Sequence, residues 1–168
     1  MQFHIGQVVT HPYHGPVTVA GFFERQFKGQ QVKYIELEVQ LKELTLRIPE
    51  HKTEEIGLRP LMTSAQYQEV LDVLAVPTQP NNDSWAHRIK EYQQFIHEGT
   101  NESRATVVRE IVHKHGANPS PGTERTMLLE ALDVLSAEAA VAFDRTAQDI
   151  KDDLVAAAVK SSEEELVA

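Results

Sequence analysis

The sequence predicts an α+β protein: a small antiparallel β-barrel or curled sheet over residues 1–60, an all-α segment of about five helices over 61–160, and a short acidic tail over 161–168. Three observations predict this. Apolar residues alternate with polar ones through the first sixty positions, the period of a half-buried strand. After Pro60 the spacing changes to three and four, the period of an amphipathic helix. Glycine and proline punctuate the chain where each element would have to stop.

In the first segment, Ile35, Leu37 and Val39 point to one side while Tyr34, Glu36 and Glu38 point to the other. Leu44, Leu46 and Ile48 repeat the pattern against Thr45 and Arg47. Gly15-Pro16 and Lys28-Gly29 are turn pairs, and Pro49 ends a strand because it cannot donate to the ladder.

In the second segment, Thr63 and Gln66 have capping-box spacing, and Tyr67, Val70, Leu71 and Leu74 form one apolar stripe. The run Pro77-Thr78-Gln79-Pro80-Asn81-Asn82-Asp83 cannot be helical and predicts a loop or hinge. Asp83 or Ser84 can cap a following helix with an inner stripe of Trp85, Ile89, Tyr92 and Ile96, ended by Gly99. Thr100 or Asn101 opens a third helix with Val108, Ile111 and Val112 inward, stopped by Gly116. Ser120-Pro121 supplies an N-cap and first-turn pair for a longer helix carrying Leu128, Leu132, Leu135 and Ala139. A last helix is expected around Ile150 to Val159, before a solvated run from Ser161 to Glu165.

The formal net charge of −9 argues against a nonspecific nucleic-acid coat, which needs a broad basic surface to displace counterions from phosphates. Charge is also uneven. Residues 1–60 hold seven Lys/Arg and seven Asp/Glu, 61–122 hold five and seven, and 123–168 hold four and eleven. Any DNA contact must therefore be local. With no cysteine there is no disulfide framework, thiol nucleophile or Cys-based zinc site. The first residues lack a basic flank and an apolar core, and no stretch approaches the ~20 apolar residues of a membrane span, so a cytoplasmic chain is expected.

Enzyme motifs are missing where they would be easiest to see: a glycine-rich phosphate loop, a paired-histidine helix with a catalytic glutamate, a strand-turn nucleophile elbow. No catalytic residue, cofactor or metal site is expected. His4, His11 and His14 could converge at one end of the sheet but have no recurring acidic partner, and His113 and His115 are two apart on a helix and diverge. Arg25 and Arg47 are either solvated charges or a protein interface, where a planar fork suits carboxylates. Trp85, the single tryptophan, is either a buried anchor at the helix mouth or an apolar wedge for a base step, with Arg88 and Lys90 on the flanking phosphates.

Several short motifs occur in a fixed order. They are Phe3, Ile5, Gly6 and Val9 followed by His11-Pro12-Tyr13-His14-Gly15; Tyr34-Ile35 with Leu37; Leu44, Leu46 and Ile48-Pro49; and Ile56-Gly57-Leu58-Arg59-Pro60-Leu61. Ser84-Trp85, Arg88 and Lys90 come next. From about Phe3 to Ala142 the chain resembles the CarD/CdnL family of bacterial transcription regulators. The resemblance implies a Tudor-like barrel that docks on the RNA polymerase β subunit, a module shared with the transcription-repair coupling factor. It also implies a helical domain that touches promoter DNA at the upstream edge of the melted bubble. Arg25 and Arg47 match the family's polymerase-contacting positions, and Trp85, Arg88 and Lys90 fall where the family has its tryptophan and basic residues. The sequence departs from the family at His87, where a basic residue is usual, and at Pro119–Arg125, whose only basic residue is Arg125.

Two functions follow as expectations. One is a monomeric, non-enzymatic regulator that binds polymerase and stabilises the open promoter complex through a minor-groove contact. The other is an adaptor that binds polymerase through the barrel and another protein, not DNA, through the acidic helical domain. Salt separates them, because phosphate contacts make affinity fall steeply as salt rises.

Overall fold

The computed structural model describes residues 2–78 and 83–167, in two compact units that divide between Leu61 and Met62. Four strands form the first: β1 Val8–His11, β2 Gly15–Phe27, β3 Gln30–Val39 and β4 Leu44–Pro49. Each pairs antiparallel with the next, in the order β1-β2-β3-β4, and the sheet curls into a half-barrel. The alternating residues account for the core: Val9, Val17, Val19, Ile35, Leu37 and Ile48 are buried together, with Leu58 added from beyond the sheet. Leu44, expected on the same face, is exposed at the end of its strand, where the core no longer reaches.

Local geometry explains the turns. Lys28 and Gly29 both have positive φ, 49° and 78°, as the tight hairpin turn whose twist matches that of the strands requires. After a 3-10 turn at Glu50–Lys52, the short helix α1, Thr53–Ile56, stops at Gly57 with φ of 89°. A side chain there would be strained, and its Cβ would meet Pro12 Cγ at 3.5 Å. Past that turn Arg59 and Thr10 exchange two backbone hydrogen bonds, 2.8 and 3.1 Å, which fasten the end of the unit to β1.

The second unit holds α2 Ser64–Ala75, α3 Trp85–Glu98, α4 Asn101–His115, α5 Thr123–Phe143 and α6 Ala147–Val167. Val70, Leu74, Ile89, Tyr92, Val108, Ile111, Leu128 and Leu135 meet in one core. Thr63 and Gln66 form the expected capping box, and Ser84 and Thr100 cap α3 and α4. Sheet first and helices after, the architecture is the expected α+β, Tudor-like arrangement. No helix among the described residues is long and apolar enough to cross a membrane.

Two boundaries differ from expectation. α5 begins at Thr123 with Gly122 as N-cap, not at Ser120-Pro121. A residue before proline avoids the α region, and Arg125 Nη1 donates back to the Pro119 carbonyl at 3.2 Å, holding this segment outside the helix. α6 runs well past Val159. Ser161, expected to open a solvated tail, is 3% exposed. Its hydroxyl donates to the Leu74 carbonyl at 2.8 Å and lies 2.7 Å from His113 Nε2, while His113 Nδ1 is 2.9 Å from Thr78 Oγ1. In the expected loop, Pro77, Thr78 and Asp83 are non-helical, and Gln79–Asn82 lie outside the described residues.

Candidate functional site

The first site is the outer face of the sheet. Up to Val19 the odd-numbered residues of β2 face the core. The β2–β3 register then shifts between Val19 and Gly21, so that Gly21 pairs with Glu36 and Phe23 with Tyr34. A bulge adds one residue and inverts the phase of the strand beyond it. Phe23 and Arg25 thereby join Tyr34, Glu36 and Arg47 on the outside, around a hollow of about 540 Å³.

The Phe23 and Tyr34 rings stack 5.2 Å apart at an interplanar angle of 9°. Arg47 lies 5.9 Å from the Phe23 centroid and donates through Nε to Glu36 Oε2 at 2.8 Å. Exposed ion pairs of this kind are worth roughly 0–1 kcal/mol, so an incoming carboxylate can compete for the guanidinium at little cost. Two arginines flanking an aromatic platform have the composition of a protein-binding hot spot. Phe23, Tyr34 and Glu36 were not foreseen as site residues. The only hint of them is Gly21, where strand alternation is easily interrupted.

The second site is the N-terminus of α3. Trp85 is 56% exposed, which overturns its place in the inner stripe and the buried-anchor alternative. The other members of that stripe do turn inward: Ile89 and Tyr92 are buried and Ile96 packs against the core. Trp85 differs because it is the first residue of the helix. Cα–Cβ bonds tilt toward a helix N-terminus, so its side chain projects past the end of α3, beyond the layer that Ile89 fills.

The two basic residues near Trp85 have different surroundings. Lys90 is exposed. Arg88 is 9% exposed, and its Nη1 donates to the Asp83 carbonyl at 2.6 Å. Its Nε faces Glu124 Oε1 at 3.6 Å, an ion pair too long to be a hydrogen bond. Glu124 Oε2 is in turn 3.1 Å from His115 Nε2. Beside this group, burial first, and then the Glu110 and Glu124 carboxylates, push the Tyr92 phenol up to about 12. Sequence reasoning missed Glu124 altogether, since nothing in the spacing announces that α5 returns to Arg88.

The remaining polar clusters are simpler. His11 and His14 do come together, with ring centroids 4.8 Å apart, and His11 Nδ1 accepts the Tyr13 backbone N–H at 3.1 Å. Burial, with Lys42 second, holds His14 below the usual histidine range. His4 is exposed. Asp83, His87 and Glu91, one helical turn apart, bring possible ligand atoms within 4.8 Å of one another, an arrangement not foreseen from the sequence.

Family models match the two units in turn. Residues 3–62 match the family described as the CarD-like/TRCF RID domain, and residues 69–155 match the CarD C-terminal domain. The chain is 23% identical over 149 residues to YdeB of Bacillus subtilis (strain 168), described as a candidate transcription factor, covering 89% of this chain and 97% of that one. It is also similar to the solution structure of the 72-residue N-terminal domain of Myxococcus xanthus CarD, at 24% identity and a TM-score of 0.31 over 35% of this chain and 79% of that one. Both parts of the family are matched in order along one chain, and the protein belongs to the CarD family of non-enzymatic, RNA polymerase-interacting transcription factors.

Proposed function

We propose that this protein binds the RNA polymerase β subunit through the Arg25–Arg47 face and stabilises the open promoter complex by placing Trp85 in the minor groove at the upstream edge of the bubble. The observation that carries the proposal is the exposure of the sole indole at the tip of a helix whose next stripe residues, Ile89 and Tyr92, are buried. An apolar ring inserted at a base step costs a few kcal/mol of unstacking in intact duplex, and less where strands are already parting. The contact therefore favours melted over closed DNA, and a differential of about 1.4 kcal/mol shifts the equilibrium tenfold. It consumes no nucleotide and needs no covalent step.

Lys90, exposed on the same helix, is the basic residue left to meet phosphate in this reading, while Arg88 supports the helix mouth from inside. One or a few such contacts suffice because docking on polymerase raises the local concentration of the helical unit at the promoter. This is how an acidic chain of net charge −9 can act on DNA.

The test uses purified polymerase and a promoter whose open complex decays on a measurable timescale. Trp85→Ala is expected to shorten the lifetime several-fold while the β subunit is still captured. Arg25→Glu and Arg47→Glu are expected to abolish both. If Trp85→Ala leaves the lifetime unchanged while the arginine variants remove it, the wedge is wrong and the adaptor reading takes its place.

A further inference from the structure

We propose that Glu124 is a positioning residue for Trp85: from α5 it holds the Arg88 guanidinium, Arg88 holds the Asp83 carbonyl, and the direction in which the indole leaves α3 is set by this clamp. The inference rests on the wedge reading above and adds to it the device that aims the wedge.

An exposed ring has few contacts of its own, so its orientation must come from the backbone that carries it. That backbone is weak by nature, because the first N–H groups of a helix have no carbonyl partners within the helix and the end frays. Ser84 supplies one cap, and at 3.3 Å from the His87 N–H it is a long one. Arg88 supplies the second restraint. It stands three residues after Trp85, and its bond to the Asp83 carbonyl closes around Ser84, the one residue between that carbonyl and the helix, and around the first turn that carries Trp85.

Arg88 can serve in this way only if its guanidinium stays inside, and Glu124 is what keeps it there. The two side chains are 11% and 13% exposed, so the pair is largely shielded from solvent. His115 faces only the Oε2 oxygen of Glu124, so Arg88 cannot swing outward without leaving the buried Oε1 oxygen without its counter-charge, which is costly. Glu124 also lies in the first turn of α5, where the helix dipole favours a negative charge. Tyr92, Glu110 and Glu91 are the other titratable groups close to this cluster.

Because Trp85 is the only tryptophan, the emission of the full chain reports its mobility directly. Time-resolved anisotropy should show a fast component of several-fold larger amplitude in Glu124→Gln than in the native chain. Arg88→Gln should do the same, and the double variant should add nothing to either, since each breaks the same link. Arg88→Lys, which keeps the charge but cannot reach both partners, should loosen the ring to the same extent and serves if Glu124→Gln folds poorly. Val70→Ala, a core truncation in the same unit, should lower the melting temperature and leave the anisotropy alone. Native-like anisotropy in Glu124→Gln and Arg88→Lys, or additive effects in the double variant, would overturn the proposal. Open-complex lifetime keeps the two ideas apart. If Trp85→Ala has no effect there, the wedge reading fails, while the anisotropy still decides whether Glu124 aims the ring.

Discussion

At the scale of single residues, Trp85 and Tyr92 show how position along one helix separates two aromatic fates. They are seven residues apart, two turns, on the same side of α3. Tyr92 is 3% exposed and Trp85 is 56% exposed, because the core ends between them. Tyr92 gives a pH prediction. Its folded pKa of about 12 lies above the ordinary 10, so across that interval the native state keeps a proton that the unfolded chain has released. Stability is then unaffected by this group below about 10 and falls as pH rises toward about 12. Thermal melts across that range should decline less steeply for Tyr92→Phe than for the native chain, and equal slopes would show that the phenol does not titrate as described. Periodicity identified both aromatics as members of one stripe, but a stripe carries no information about where the bundle stops. The burial of Arg88 was hidden for a related reason: its partner Glu124 arrives from a distant helix.

At the scale of elements, most local signals are legible in the sequence, Ser120-Pro121 being the exception, and long-range ones are not. The alternation of Ile35, Leu37 and Val39, the Lys28-Gly29 turn and the caps at Thr63, Ser84 and Thr100 all depend on neighbours within a few residues, and each is present. The Thr63 cap gives the plainest stability test. Its side chain accepts the Gln66 N–H and Gln66 returns the bond, so Thr63→Ala should cost about 1 kcal/mol, read as a lower urea midpoint with an unchanged slope. An unaltered midpoint would mean that the cap contributes nothing. By contrast, the bulge between Val19 and Gly21 left no periodic trace, yet it alone turns Phe23 and Arg25 to the outer face. The length of α6 was underestimated because Ser161 reads as polar and terminal in sequence, whereas its hydroxyl is matched by Leu74 and His113 in the fold.

At the scale of the whole molecule, the two units differ in charge, and the proposed function assigns them different partners. The sheet unit is balanced and offers arginines around stacked aromatics, a surface suited to protein. The helical unit is acidic, and its arginines are largely occupied with carbonyls and carboxylates of their own unit: Arg88 with Asp83 and Glu124, Arg104 with Gly99, Arg109 with Val73 and Glu110. Under the proposed function, that restricts its DNA contact to a small, mostly apolar one. Composition made that restriction visible from the start, and the family match supplies the polymerase side. The central claim is that the indole holds partly unwound DNA open. It is tested most directly by a fluorescent base at the upstream edge of the bubble, followed after competitor is added to polymerase saturated with protein. Native protein should slow closure at that edge several-fold and Trp85→Ala should not, whereas equal closure rates for the two proteins, both shown to be polymerase-bound, would contradict the account.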